Sequence, residues 1–108
     1  MFDLKREPTH PGEILQAEFI TPLQISQTML ARELKTTFRT VNEIVNKKRN
    51  ISPEMALKLG KFFGTTPELW LNLQNKHDLY WTKKKKQATL KNIRPMPQHS
   101  STPTKAAR

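Results

Sequence analysis

The sequence predicts an all-α fold, in which five helices form one bundle and a basic, disordered tail follows them. Three observations predict this fold. Helix start signals, in which Ser or Thr precedes Pro and Glu, recur along the chain. Apolar residues between Ile14 and Trp81 recur mostly at three- and four-residue steps, as expected for helices with one buried face. No segment reads as a strand.

The first three helices are predicted at about residues 11 to 21, 26 to 34 and 37 to 46. The first opens at His10-Pro11-Gly12-Glu13, because a proline at the first helical position loses no hydrogen bond. Pro22 is expected to end it, since proline cannot donate to the helix ladder. The short spacing between these helices indicates a compact bundle.

The fourth and fifth helices are predicted at residues 53 to 63 and 67 to 80. Ser52-Pro53-Glu54 and Thr66-Pro67-Glu68 open them, and each places a carboxylate near the positive end of the helix dipole. Gly64 is positioned to close the fourth helix in a left-handed conformation. The buried faces are predicted to contain Ile14, Leu15, Phe19, Leu30, Ala31, Leu34, Val41, Ile44, Val45, Leu57, Phe62, Phe63, Leu69, Trp70 and Leu73.

The positive charge is unevenly distributed along the chain. The formal net charge is +10, but residues 1 to 81 hold 11 Lys or Arg against 9 Asp or Glu. Residues 82 to 108 hold the other 8 basic residues and no acid. Together with its Pro, Ser, Thr and Gln content, this predicts one domain at residues 8 to 81 and a disordered tail at residues 82 to 108.

Composition excludes several classes of protein. The chain has no cysteine, so neither disulfides nor thiolate metal sites are possible. No stretch approaches the roughly 20 consecutive apolar residues of a membrane span, and no signal-like apolar run is present. We therefore expect a cytoplasmic protein without membrane contact.

Residues 26 to 47 have the spacing of a helix-turn-helix. Ala31 is small enough for two helices to cross closely, Leu34 lies under the turn, and Val41 with Ile44 anchors the second helix. Thr36 or Thr37 is positioned to cap that second helix. A helix-turn-helix in a basic protein predicts binding to double-stranded DNA.

The outward residues of the second helix are the candidates for reading bases. Arg39 has the two donors that guanine O6 and N7 accept, and Asn42 can both donate to and accept from adenine. Glu43 could accept from cytosine or orient Arg39. The predicted base-facing residues are Phe38, Arg39, Thr40, Asn42 and Glu43.

A second set of residues is predicted to contact the DNA backbone. It comprises Gln27, Thr37, Asn46, Lys47, Lys48 and Arg49. Such contacts position a protein without reading sequence. The alternative for Lys47, Lys48 and Arg49 is an ordinary solvated turn.

Three segments, taken together in their order along the chain, make the resemblance to a known family specific. These are residues 10 to 15, the helix-turn-helix, and residues 64 to 74, followed by Asp78-Leu79. Over residues 8 to 80 the chain resembles the HigA-type antitoxins, members of the phage-repressor-like (XRE) helix-turn-helix family. The resemblance implies a homodimer that represses its own operon and neutralises a HigB toxin, an mRNA-cleaving ribonuclease of the RelE class.

The resemblance also assigns residues. Gln27, Phe38, Arg39, Thr40 and Asn42 match DNA-facing positions, and the helix from Trp70 to Tyr80 matches one that commonly contributes to dimerisation. The predicted dimer interface contains Trp70, Leu73, His77, Tyr80 and Trp81. Core packing is the favoured alternative for Trp70 and Leu73.

Two positions depart from the family pattern. Lys35 and Lys47 stand where the pattern usually has Gly. A chain that turns left-handed at these positions loses about 1 kcal/mol or more with a residue other than Gly. Both lysines add positive charge beside the expected DNA groove.

The tail lies outside the resemblance, so its role rests on charge alone. The run from Lys83 to Lys86 is either an arm that contacts the DNA backbone or a solubilising, disordered end. Since each neutralised phosphate contributes about −0.9 to the slope of log K against log salt, deletion of residues 82 to 108 should flatten that slope if the arm exists.

An enzyme is not expected. His10, His77 and His99 lie in three separate segments, and the sequence positions no nucleophile beside them. A helix-capping role is the plainer explanation of His10, although His10 with Glu13 could contact a metal. We expect no cofactor. Two further alternatives are a solitary repressor without a toxin, and an inhibitor of the toxin in which the helix-turn-helix is only a scaffold.

Overall fold

The computed structural model describes residues 7–97, and this part of the chain contains helices and no strand. Helix α1 is continuous through three stretches, namely Pro11–Ile14, the π-helical Leu15–Ile20, and Thr21–Leu23. The other helices are α2 Gln27–Glu33, α3 Phe38–Val45, α4 Pro53–Phe63, α5 Pro67–Lys85 and α6 Gln87–Lys91. The predicted all-α bundle with a helix-turn-helix is confirmed.

Pro22 does not end α1, contrary to the prediction. It lies in the last turn, and the helix ends at Leu23, after which Gln24 turns left-handed with φ 57°. In the π-helical stretch the Thr21 N–H donates to the Gln16 carbonyl, five residues earlier. Because this wider turn precedes the proline, its ring fits without breaking the helix.

The predicted start of the disordered tail, at residue 82, was placed too early in the chain. Helix α5 continues to Lys85 and α6 follows it, so residues 82 to 85 and 87 to 91 are helical. Lys and Gln are good helix formers, and Lys near a helix C-terminus interacts favourably with the dipole. The rest of the predicted tail, residues 98 to 108, lies outside the described residues.

Helices α1 to α5 enclose one apolar core. Its largest fully buried side chains include Trp70, Leu15, Leu30, Ile44 and Leu59. Three residues predicted to be buried are exposed, namely Leu57, Phe62 and Leu69. Leu57 and Phe62 line a surface groove together with Glu33, Leu34 and Lys35. The core is completed by Ile20, Ile51, Met55, Ala56 and Leu59.

The predicted caps at Thr37, Ser52 and Thr66 are confirmed, and Ser26 caps α2 in the same way. The side-chain oxygen of each accepts a hydrogen bond from the backbone N–H three residues later. Such caps satisfy a donor that the first turn of a helix leaves unpaired. They fix where α2 to α5 begin, and therefore how α3 is presented.

The segment His10-Pro11-Gly12-Glu13 docks α1 onto the end of α3. His10 Nδ1 accepts from the Gly12 N–H at 2.8 Å, which confirms the capping role of His10. Gly12 lies so close to α3 that a Cβ there would overlap the Ile44 carbonyl oxygen. Lys47 Nζ donates to Glu13 Oε2 at 2.9 Å from the far side of the same junction.

Candidate nucleic-acid interface

Helix α3 presents one face to the core and the other to solvent. Val41 and Ile44 are fully buried and hold the helix against the bundle. Phe38 is 50% exposed, and the Arg39 side chain is 83% exposed. Since the N-terminal outward residues of a recognition helix meet base edges, these two side chains lie where the sequence analysis expects readout.

Glu43 connects two arginines on the outer face of α3. Its Oε2 accepts from Arg39 Nε at 3.0 Å, and its Oε1 accepts from Arg49 Nε at 2.9 Å and Nη2 at 2.7 Å. The hydrogen bond from Arg39, followed by that from Arg49, holds the pKa of the Glu43 carboxyl below its usual range. With both oxygens engaged, Glu43 orients the arginines, which favours that alternative over a contact with cytosine.

The Arg39 guanidinium remains able to read a base. Its Nε donates to Glu43, and this uses one of the five N–H donors that a guanidinium carries in a planar fork. The two terminal nitrogens are the ones that pair with guanine O6 and N7. Glu43 therefore fixes the plane of the fork without occupying its outer edge.

Asn42 belongs to a chain of amides that links two helices. Asn42 Nδ2 donates to Gln27 Oε1 at 3.0 Å, across 15 residues, and Asn46 Nδ2 donates to the Asn42 carbonyl at 2.9 Å and to Asn42 Oδ1 at 3.2 Å. The half-buried Asn42 thus positions Gln27 at the start of α2. We expect the two side chains to contact DNA together.

The first turn of α3 is fixed by threonines. Thr37 Oγ1 accepts from the Thr40 N–H at 3.1 Å and lies 3.0 Å from Thr40 Oγ1. The predicted cap is therefore Thr37, not Thr36. The free amides of the first turn and the helix dipole make this end suitable for a phosphate oxygen.

The loop after α3 carries three consecutive cations. Lys47, Lys48 and Arg49 are all exposed. Lys47 adopts φ 65° and Lys35 adopts φ 58°, so both turns are left-handed where the family pattern has Gly. The hydrogen bond that Lys47 donates to the Glu13 carboxylate, together with the charge of that carboxylate, raises the pKa of Lys47.

The predicted dimer residues fall into different environments along α5. Trp70 is fully buried and its Nε1 donates to Thr65 Oγ1 at 2.8 Å, so its assignment to the interface was wrong. Leu73 packs partly against the core. His77 and Tyr80 are half-buried, and Trp81 is 37% exposed. The last three lie near one another, with the Trp81 ring 6.5 Å from His77 and 5.2 Å from Tyr80.

Gln74 is a structural residue that the sequence analysis missed. It is buried, its Oε1 accepts from the Ile51 N–H at 2.7 Å, and its Nε2 donates to Asn50 Oδ1 at 3.1 Å. These bonds fasten the loop after α3 to α5. The signal was available, because Gln74 follows Trp70 by four residues and so shares its inward face.

Residues 7–97 contain neither a cluster of metal ligands nor a helix suited to span a membrane. In that range no three His, Cys, Asp or Glu side chains lie close enough together to hold a metal ion. His10 is used as a helix cap and contacts the His77 ring edge-on at 4.8 Å. None of the helices in the same range has the length and apolar character needed to cross a bilayer.

Comparison with known proteins gives consistent matches. The helix-turn-helix family matches residues 17–70. An uncharacterised HTH-type transcriptional regulator of Haemophilus influenzae is 46% identical over 94 residues, covering 85% of this chain and 88% of that protein. Antitoxin HigA-1 of Vibrio cholerae is 36% identical over 92 residues, covering 85% and 87%. The structure of Pseudomonas aeruginosa antitoxin HigA with the higBA promoter matches with a TM-score of 0.80 at 41% identity, covering 83% of this chain and 99% of that one.

Proposed function

The chain belongs to the HigA-type antitoxins of the helix-turn-helix family, and from this premise we propose that it binds operator DNA through α3, represses its own operon and neutralises a HigB-like toxin. This is a family of DNA-binding regulators rather than of enzymes. The function proposed is therefore one of recognition.

The outer face of α3 is the observation that carries the DNA-binding part. Arg39 projects from it with its guanidinium plane fixed by Glu43, and Asn42 positions Gln27 beside it. The cations of the following loop flank this face and suit the phosphate backbone. The Pseudomonas aeruginosa relative, which has the same fold, was solved with promoter DNA.

The test of DNA binding is the double variant Arg39→Ala with Asn42→Ala. A well-formed bidentate pair contributes about 1 to 3 kcal/mol of base discrimination, so loss of the Arg39 pair alone should lower the affinity for the DNA upstream of the gene about 5- to 150-fold, and loss of the Asn42–Gln27 bond should lower it further. Footprinting and fluorescence anisotropy would measure this. The matched control is Arg32→Ala with Asn72→Ala, which removes the same side-chain types from exposed positions outside the proposed interface. Normal operator binding by the first variant would refute the assignment of α3.

The toxin-binding part is separable from DNA binding. The Arg39 and Asn42 side chains lie on the face assigned to DNA, so the same double variant should still neutralise toxin and co-purify with it. Loss of neutralisation with retained folding would show that α3 contacts the toxin. Growth rescue on toxin co-expression is the direct measurement.

A second candidate function is that of a repressor without a toxin. It is favoured by the Haemophilus influenzae relative, which is an HTH-type transcriptional regulator. A short, basic, RelE-like reading frame beside the gene would support the antitoxin. Purification of the chain alone from its native host, without any such toxin, would support the solitary repressor.

Dimerisation completes the proposal. His77, Tyr80 and Trp81 form a half-wet aromatic cluster on α5, and aromatic side chains with polar tips are common at interfaces. A two-fold dimer through this surface would present two copies of α3 to DNA.

A further inference from the structure

Residues 82–97, called here the C-terminal arm, differ from the rest of the described chain. Every residue of the arm is exposed, although α5 and α6 make most of it helical. It carries Lys83, Lys84, Lys85, Lys86, Lys91 and Arg94 and no acidic residue. The arm is therefore not held by burial in its own domain, and its six basic residues without an acid suit a negatively charged partner.

The arm leaves the bundle beside the loop that follows α3. Gln74 of α5 is hydrogen-bonded to Asn50 and to the Ile51 N–H, both in that loop. One turn later, His77 borders a cavity of about 290 Å³ together with Lys47, Glu13 and His10. Helix α5 then continues without a break to Lys85. At about 1.5 Å per residue, the lysine run begins about 9 Å beyond His77 along the helix axis.

We infer that the C-terminal arm binds the phosphate backbone of DNA and extends the contact made by α3 and its following loop. This inference rests on the proposed operator binding and adds to it a surface that the helix-turn-helix does not contain. Lys47 of that loop borders the same cavity as His77 of α5, and the lysine run begins six residues farther along that helix. Double-stranded DNA carries one negative charge per roughly 1.7 Å of its axis, so a run of consecutive lysines that reaches the duplex can neutralise several phosphates.

The chemistry of the arm fits phosphates rather than base edges. Lysine is a compact point charge, whereas base readout uses the planar fork of Arg or the amide of Asn and Gln. Lys84 lies over the Tyr80 and Trp81 rings, with its Nζ 5.5 and 5.7 Å from their centroids, so part of the run is held against α5. The expected contribution is therefore independent of sequence and sensitive to salt.

The experiment compares salt dependence on operator DNA. The variant K83Q/K84Q/K85Q/K86Q removes four charges while keeping residues of nearly equal helix propensity. The doubles K83Q/K84Q and K85Q/K86Q give a graded series. The matched control is R32Q/K61Q, which removes two charges from exposed positions that are not among the residues assigned to DNA. Affinity is measured from low to high salt on operator and on scrambled duplex.

The proposal makes a numerical prediction. Since each phosphate contact contributes about 0.9 to the slope of log K against log salt, the quadruple variant should lower its magnitude by roughly 2 to 4 per protomer. The doubles should give about half of that, and R32Q/K61Q should leave the slope unchanged. The same change should appear on scrambled duplex.

Each contrary result has a distinct meaning. A quadruple variant with the wild-type slope overturns the arm but leaves operator binding through α3 intact. Failure of the wild-type chain to bind its operator overturns the proposed function and the arm with it. Sedimentation decides a third outcome: if the quadruple variant is monomeric where the wild-type chain is dimeric, the arm is an assembly element, and the phosphate assignment is wrong.

Discussion

Lys35 and Lys47 occupy left-handed backbone positions on either side of α3. Their φ angles are 58° and 65°, a region that costs a residue with a Cβ about 1 to 2 kcal/mol. Each lysine adds charge next to the proposed DNA surface, and Lys47 also pairs with Glu13. Stability and electrostatics therefore favour different residues at these positions.

Replacement of Lys35 by Gly should stabilise the fold. Glycine removes the steric cost of positive φ but loses more entropy on folding, so the net gain is about 0.5 to 1 kcal/mol. Urea denaturation measures it. Lys35→Ala is the control, since it removes the charge and keeps the Cβ, and it should show no such gain. An equal effect of both substitutions would mean that charge, not backbone strain, sets the stability here.

His10 should make stability depend on pH. Burial lowers its pKa, the nearby His77 and Lys47 lower it further, and Asp78 and Glu13 partly oppose them. Its Nδ1 must stay unprotonated to accept from Gly12. The unfolded chain therefore takes up the proton first: the stabilisation is complete above the ordinary histidine pKa of 6.5 and is lost as pH falls from there toward the pKa of the folded chain.

The measurement is the free energy of unfolding between pH 7.5 and 5. One proton limits the slope to about 1.4 kcal/mol per pH unit. His10→Asn keeps a good N-cap that does not titrate, and should flatten the curve in this window. A curve of the same shape in the variant would assign the pH dependence to other groups.

At the scale of elements, the crossing of α1 over α3 decides how the reading helix is held. Gly12 allows α1 to approach the end of α3, and Val41 with Ile44 fills the space below. The motif His10-Pro11-Gly12-Glu13 thus combines a cap, a helix start, a close contact and an ion pair. Its effect on DNA binding is indirect, through the orientation of α3.

Gly12→Ala should loosen this crossing. The new Cβ would overlap the Ile44 carbonyl oxygen and lie 2.8 Å from its carbon, so the helices must separate. Overpacking of this kind costs about 1 to 3 kcal/mol, measured here by urea denaturation. Gly64→Asn is the control, because a side chain there meets open space and Asn tolerates the left-handed φ of 75°. A G12A chain as stable as the wild type would refute the close contact.

The features of this fold that depend on neighbouring residues could be predicted from the sequence, whereas those that depend on tertiary contacts could not. Thr37, Ser52 and Thr66 identify helix starts because a cap depends on neighbouring residues only. By contrast, the exposure of Leu57 depends on which helices pack beside α4, and apolar spacing does not contain that information.

The same distinction holds in the candidate site, where local patterns predict some residues and contacts between distant residues position the others. Arg39 on the outer face of α3 follows from the helix period, and the structure places it there. The Gln27–Asn42 bond and the Lys47–Glu13 pair join residues 15 and 34 positions apart, and no local pattern indicates them. For Trp70 the apolar spacing already favoured core packing over the dimer interface, and the structure buries the side chain completely.

At the scale of the whole molecule, one protomer presents a single reading helix. A single α3 contacts too few bases for the affinity of a typical operator complex, and a two-fold dimer doubles the readout. The surface proposed for this is the aromatic cluster of His77, Tyr80 and Trp81 near the end of α5. Trp81→Ala should therefore shift the chain from dimer to monomer in sedimentation at micromolar concentration.

The operator offers an independent measure of the same dimer. A two-fold protein requires inverted half-sites about 34 Å apart or a multiple of that, so that both lie on one face of the duplex. Inserting five base pairs between them rotates one half-site by about half a turn and should reduce wild-type affinity to that for a single half-site. Trp81→Ala, already monomeric, should bind the original and the expanded operator equally. If the insertion left wild-type affinity unchanged, each protomer would bind alone, and the aromatic cluster would have to serve another contact.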